Sequence, residues 1–358
     1  MTKIQINTIL FKIHRWTGLS IALFIILVGL TGSLLVFLDE IDENLNPQIK
    51  TVEMGKQKVL LDKMIGSVLE KAPNATIRRV KINPDLKRAY EFRLINNHEN
   101  YLAQVNPYTG KLLDLCPNDS YFISFIYSLH TSLLFPPWGD LIVAILALLF
   151  TISSLTGLWV QRKFLFKVFK IGIRKNRNVK TTNSDTHKLI GSIALLTNLI
   201  FGGTGIYISL YAYDLKFLTE QKQEPQKLIY DVSYRLDNLI FDAQKRIDGF
   251  EALFVSFPKS NTDNWVIRGK VPFGNALYAP KYSNASVEYS FSDGQYKKAF
   301  DMRTADFGEQ LRDFGYEFHF GKYGGLPIKI LYFIGGLLPA ILSITGLIIW
   351  QKKSSKHI

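Results

Sequence analysis

Charged and uncharged stretches alternate along the chain on a scale far longer than one helix turn. Leu19 to Leu38 runs 20 residues without a charge, Leu141 to Gln161 runs 21, Leu189 to Tyr213 runs 25 and Ile330 to Gln351 runs 22. About 20 apolar residues are needed to cross the hydrocarbon core of a bilayer, so these predict four transmembrane helices. The segments between them carry shorter periods. Residues 59–72 show helical spacing, and Arg78–Lys81, Ala89–Leu94 and Tyr101–Val105 read as strands. Asn96-Asn97 and Pro107-Tyr108-Thr109-Gly110 are turn chemistry. The second long connection repeats the order, with a helix over 232–247, strands near 251–257, 264–271 and 286–291, and a turn at Ser292-Asp293-Gly294. Each connection is therefore expected to be a small α+β module.

Composition narrows the class. The chain has 358 residues, is 47% hydrophobic and carries a formal charge of +13. The apolar content excludes a disordered chain. Cys116 is the single cysteine, which excludes an internal disulfide scaffold and a cysteine-built metal site. The basic excess could serve nucleic acid or a membrane surface, and its distribution decides against nucleic acid. Lys3, Lys12 and Arg15 precede the first span, Arg162 to Lys180 holds eight bases and no acid, and Lys352, Lys353 and Lys356 follow the fourth span. The long connections 39–119 and 214–318 are nearly neutral. The positive-inside rule then places both termini and the 162–186 loop in the cytoplasm, with the long connections outside. The first span lacks a small-residue cleavage site and is followed at once by Asp39, Glu40 and Asp42, so it is expected to be an uncleaved anchor.

A repeat ties the spans together. His14-Arg-Trp-Thr-Gly18 and Gly29-Leu-Thr31-Gly32 recur as His187-Lys-Leu-Ile-Gly191 and Gly202-Gly-Thr204-Gly205, each matched position offset by 173 residues. His130 precedes Thr156-Gly157 by 26 residues, and His319 precedes Thr345-Gly346 by the same interval. The expected architecture is an α-helical membrane protein of four transmembrane helices, arranged as two helix–module–helix copies. The divisions are 1–38 (first span), 39–119 (first module), 120–161 (second span), 162–186 (basic loop), 187–213 (third span), 214–318 (second module) and 319–358 (fourth span and tail).

Four of the six histidines lead the four spans. His14 and His187 fall at the cytoplasmic side, and His130 and His319 at the outer side. One histidine at a lipid interface is ordinarily an amphipathic anchor, but ionisable groups near the bilayer usually face a bundle interior. Imidazole suits haem iron, zinc or copper. No Cys, Asp or Glu accompanies these histidines at zinc-ligand spacing, whereas two imidazoles suffice for haem. The expected ligand pairs are His14 with His187 and His130 with His319. Gly32 lies five helical turns after His14, hence on its face, and Gly18 one turn after; Gly191 and Gly205 stand likewise to His187. These glycines would give a porphyrin room, or would serve close helix packing. Arg15 and Lys188 follow the histidines directly and could pair with propionates, or be ordinary positive-inside charges. His98 sits in a polar turn and His357 in the tail, and neither is assigned a role.

His-Arg-Trp-Thr-Gly leading an apolar helix, His130 with Pro137-Trp138-Gly139-Asp140, His187-Lys-Leu-Ile-Gly and the closing Thr-Gly-Leu-x-x-Trp resemble the PepSY-associated transmembrane helix family over nearly the whole chain. Val105-Asn-Pro-Tyr-Thr-Gly-Lys-Leu112 is similar to the strand–turn signature of a PepSY module, and the second module carries Phe291-Ser-Asp-Gly-Gln295 in that place. The resemblance implies PepSY-like extracytoplasmic modules, a bacterial inner-membrane location and two haems, b-type, on membrane histidines. It also implies the activity of a siderophore-iron reductase: electrons from a cytoplasmic reductase or a quinol would pass to a ferric siderophore or other ferric chelate. The alternative is a membrane-anchored PepSY binding or peptidase-inhibitor module without redox activity. Lipid is an expected partner and nucleic acid is not.

Overall fold

The computed structural model describes residues 2–174, 177–220, 235–260, 263–272, 284–321 and 323–354. In chain order it contains α1 (Lys3–Val36), α2 (Leu38–Leu45), α3 (Pro47–Lys50), α4 (Leu61–Lys71), β1 (Thr76–Lys81), β2 (Tyr90–Asn96), β3 (Glu99–Val105) and β4 (Leu112–Pro117). A 3₁₀ turn at Asn118–Ser120 leads into α5 (Phe122–Ser132), α6 (Trp138–Gln161), α7 (Lys167–Ile171), α8 (Val179–Ile193) and α9 (Leu195–Glu220). Then come α10 (Leu236–Arg246), β5 (Glu251–Ser256), β6 (Asn264–Lys270), β7 (Ala285–Ser290), β8 (Tyr296–Asp301), α11 (Phe307–Phe320) and α12 (Gly325–Ser354). Residues 232–234 of the expected second-module helix, Lys175 and Lys356 of the basic clusters, and His357 lie outside the described residues.

Among the described residues four helices are long and apolar enough to span a bilayer: Ile4–Val36, Trp138–Gln161, Leu195–Asp214 and Gly325–Lys352. They pack with α1 against both α6 and α12, and α6 against α9. The α1–α12 crossing is close because glycines meet there. A Cβ on Gly29 would stand 2.8 Å from the Gly336 carbonyl oxygen, so only hydrogen fits. Helix ends follow the local sequence. Thr2 caps α1 in a capping box with Gln5, Asn178 caps α8 through the Thr181 amide at 2.9 Å, and Asp306 caps α11 through the Glu309 amide at 2.9 Å.

The third span departs from its expected start. Helix begins at Val179, eight residues before His187, and a break at Ala194 separates α8 from α9. The second and fourth spans are each preceded by a separate helix, α5 and α11, that carries the histidine. The turn after α5 is forced tight: Leu133 and Leu134 adopt positive φ, and any side chain at Gly139 would overlap the Ser132 carbonyl.

Both long connections are α+β, as the sequence pattern predicts, but they do not stand as separate bodies. All eight strands form one antiparallel sheet in the order β4-β3-β2-β1-β5-β6-β7-β8. The join is β1 on β5, with Val80 opposite Val255 and Lys81 opposite Phe254. This pairing satisfies the backbone edge that each four-stranded unit would otherwise leave open. Strands β4 and β8 were not expected from the sequence. One face of the sheet is apolar and lies under α4 and α10, where Val68, Ile77, Phe92, Val255, Trp265 and Ile267 form the core. The opposite face is charged and looks toward the helices. The two tight turns at Asn97–His98 and at Gly110 have positive φ, matching their turn chemistry.

Candidate functional site

Each of the four span-leading histidines docks against the Thr-Gly pair of a different helix. His14 of α1 lies against Gly157 of α6, and His187 of α8 against Gly346 of α12. His130 of α5 lies against Gly32 of α1, and His319 of α11 against Gly205 of α9. A Cβ at Gly32 would stand 2.8 Å from the His130 ring and one at Gly157 2.9 Å from the His14 ring. Those distances leave no room for a methyl group. At Gly205 and Gly346 the equivalent distances are 3.5 and 3.7 Å, ordinary contact.

The same docking ties up Nδ1 of every ring. His14 Nδ1 lies 2.9 Å from the Ser153 carbonyl oxygen, and His130 Nδ1 3.0 Å from that of Val28. His187 Nδ1 lies 2.9 Å from Thr345 Oγ1, and His319 Nδ1 2.9 Å from Thr204 Oγ1. Thr31 Oγ1 adds a second contact to His130 Nδ1 at 3.2 Å. A carbonyl facing Nδ1 requires the proton there, which leaves a lone pair on Nε2. Metal-binding imidazoles are oriented by such bonds at the other ring nitrogen.

The rings then meet in two pairs. The centroids of His14 and His187 are 6.1 Å apart, and those of His130 and His319 6.4 Å. Two imidazoles on opposite sides of one metal, each bonded at about 2 Å, hold their centroids roughly 6.3 Å apart. Both pairs therefore have a spacing that would fit two imidazoles sharing one metal. Among the described residues no group of three or more His, Cys, Asp or Glu is clustered for a metal.

Around His130 and His319 lies a largely apolar cavity of ≈ 280 Å³, bounded by α1, α5, α6, α9, α11 and α12. Gly32, Gly205, Phe201 and Tyr332 line it, and the fully buried Asp140 sits at its edge. Beside the other pair, Arg15 has its Nε buried with no hydrogen-bond partner while its guanidinium lies 5.1 Å over the Trp16 ring. An unsatisfied buried donor next to a candidate ligand is where a carboxylate such as a propionate would fit. The Lys188 side chain shows no such feature; its backbone carbonyl accepts from Gln161 Nε2 at 2.7 Å.

The glycines do not all act where the helical spacing put them. Gly32, on the helical face of His14, stands against His130, and Gly205, on that of His187, stands against His319. Five turns along α1 amount to roughly 27 Å, so a shared face is not a shared site. Gly18 faces Ser153 Oγ at 3.5 Å, close to the His14 anchor, and Gly191 faces Leu342 and Gln161. Sequence reasoning missed the roles of Thr31, Thr204, Thr345 and Ser153. The signal was present for the threonines, each of which sits beside a repeated glycine at the same offset as the histidines.

The family model of the PepSY-associated TM region matches residues 11–353. Comparison with curated proteins finds no match. With four spanning helices and that match along almost its full length, the chain is a multi-pass membrane protein and belongs to the PepSY-associated TM family.

Proposed function

We propose that the protein is an inner-membrane haem protein that passes electrons across the membrane to reduce a periplasmic ferric chelate. In this reading its two helix–module–helix copies put the sheet in the periplasm and both termini in the cytoplasm. The observation that carries it is the doubling of one geometry: two histidine pairs with centroids 6.1 and 6.4 Å apart, every Nδ1 engaged. Bound between such pairs, haem supplies a carrier of single electrons, which suits the one-electron change from Fe(III) to Fe(II). The chain's own part is to hold and to insulate. The Ser153 and Val28 carbonyls and the Thr204 and Thr345 hydroxyls fix ring orientation and raise ligand basicity. Apolar walls such as Phe201 and Val143 keep water from the His130–His319 pair. Arg15, whose buried Nε has no hydrogen-bond partner, would receive a propionate. The charge asymmetry supports the orientation, with eight bases and no acid between Arg162 and Lys180.

Reporter fusions at about residues 80, 175, 260 and 356 should read out, in, out, in; a periplasmic signal at 175 would overturn the topology. A pyridine haemochrome assay and optical spectrum of the purified chain, with haem supply assured, tests the cofactor. A Soret band with two haems per chain is expected. A colourless protein would remove the redox reading and leave the PepSY binding module.

A further inference from the structure

Between the charged face of the sheet and the ends of the helices lies a vestibule of ≈ 1170 Å³. It borders the histidine cavity, since Leu38, Tyr127, Thr131 and Phe320 line both. Two rungs of the sheet form its roof. One runs Gln104–Glu91–Lys81–Phe254–Arg268 across β3, β2, β1, β5 and β6, and the next runs Arg93–Arg79 across β2 and β1.

Most of the lining cations are already neutralised. Lys50 pairs with Asp42 at 2.7 Å, Lys81 with Asp39 at 3.6 Å, Arg93 with Glu91 at 3.2 Å and Lys298 with Glu288 at 3.2 Å, and Arg88 pairs with Glu43. Among the described residues Arg79 and Arg268 have no carboxylate within ion-pair distance. Arg79 is half-buried, with its guanidinium 4.8 Å over the Phe254 ring. Burial, and then repulsion from Arg93 and Arg268, outweigh the attraction of Glu91 and pull its pKa down to about 10. A desolvated cation beside like charges is a costly arrangement that an anion would relieve. A second observation points the same way. Gln104 is 1% exposed, lines the vestibule, and its Nε2 donor has no hydrogen-bond partner. An unmet buried donor calls for an acceptor oxygen.

We propose that this vestibule binds an anionic chelate of oxygen donors, held by Arg79, Arg268 and Gln104 next to the cavity of the His130–His319 pair. The inference rests on the proposed reduction of a ferric chelate and names its class: carboxylate-bearing and negatively charged rather than neutral. Two guanidiniums supply forked donors that match carboxylates, and Gln104 supplies a single neutral donor. The vestibule's size suits a metal–ligand complex rather than a bare ion.

The test uses the full-length protein in detergent and gallium(III) citrate, which mimics the ferric complex in charge and shape and cannot be reduced. Binding is read by calorimetry. Saturable binding is expected, weakened at least tenfold in Arg79→Gln/Arg268→Gln and several-fold in Gln104→Leu. The Arg79→Lys/Arg268→Lys variant should recover part of the loss, and its thermal unfolding shows whether the fold is intact. A neutral gallium hydroxamate should bind at least tenfold more weakly. Equal binding of neutral and anionic chelates, or unchanged binding in the folded double variant, would overturn the proposal. Citrate alone binding as tightly as its gallium complex would also overturn it. Because gallium carries no redox chemistry, binding in a protein that lacks haem would preserve the vestibule and reject the reductase.

Discussion

At the pair distant from the sheet, His14 rests on a backbone carbonyl of α6 and His187 on the hydroxyl of Thr345; at the pair beneath the sheet, His130 rests on the Val28 carbonyl with help from Thr31, and His319 on Thr204. The ring spacings differ by only 0.3 Å, 6.1 against 6.4 Å. The surroundings differ far more. The sheet-side pair lies in an apolar cavity that borders a charged vestibule, while the other pair is flanked by Arg15 and Gln161 and by the basic segment beyond α6. The lesson is that the ligand geometry is repeated and the access to it is not. In the proposed function the two ends then serve different partners.

Deleting a ligand gives the largest separation between the ends. His130→Ala or His319→Ala should abolish reduction of an external ferric chelate while the haem on the far side still reduces. His14→Ala or His187→Ala should block electron entry and leave the sheet-side haem reducible by an artificial external donor. Retained haem with unchanged chelate reduction in these variants would break the proposed path.

Removing a ring's anchor should do less, and unequally. Thr204→Val takes the hydroxyl from His319 and should weaken haem retention on the order of 10–100-fold. Thr31→Val should cost less, because His130 keeps the Val28 carbonyl at 3.0 Å. Haem loss to a scavenger protein measures both, and the reverse order would refute the assigned anchoring. The glycine behind each ring gives a finer contrast. Gly32→Ala forces the His130 ring to move, at a cost of about 1–3 kcal/mol. Gly205→Ala meets His319 at 3.5 Å and should leave the spectrum of the loaded protein unchanged. Similar shifts in both variants would contradict the packing.

Acid acting on the charged face of the sheet should give the smallest effect. Burial alone would raise Glu91, but Arg93, Lys50 and Lys81 outweigh it and hold the carboxyl at about 2. Its ion pairs thus stabilise the sheet above the ordinary carboxylate value, and that contribution is lost as pH falls from about 4.5 toward 2. Thermal unfolding followed by Trp265, buried in the sheet core, should show a steeper acid decline in the wild type than in Glu91→Gln. Parallel curves would remove Glu91 from the account.

The spans, the module elements and the histidine pairing were legible because each is written in local period or repeat. Uncharged runs of 20–25 residues need no partner to be read, and a histidine kept in register with Thr-Gly at one offset marks equivalent positions. What the sequence hid depends on contacts between distant segments. The β1–β5 join is set by two strand edges about 175 residues apart and leaves no pattern in either strand. Strand β8, Tyr-Lys-Lys-Ala-Phe-Asp, is half-exposed and lacks strand alternation. Gly32 was placed by helical phase on α1, yet what it touches comes from α5. The charge pattern of the sheet showed neutrality only in sum; Arg79 and Arg268 stand out once the fold sets the other described cations lining the vestibule beside acids.

The central claim is that two histidine pairs each hold one haem, and haem stoichiometry in the wild type and the four single His→Ala variants tests it most directly. Low-spin, bis-histidine spectra with two haems per chain are expected, falling by one in each folded variant. Equal haem content in the wild type and all four variants would contradict the ligand assignment.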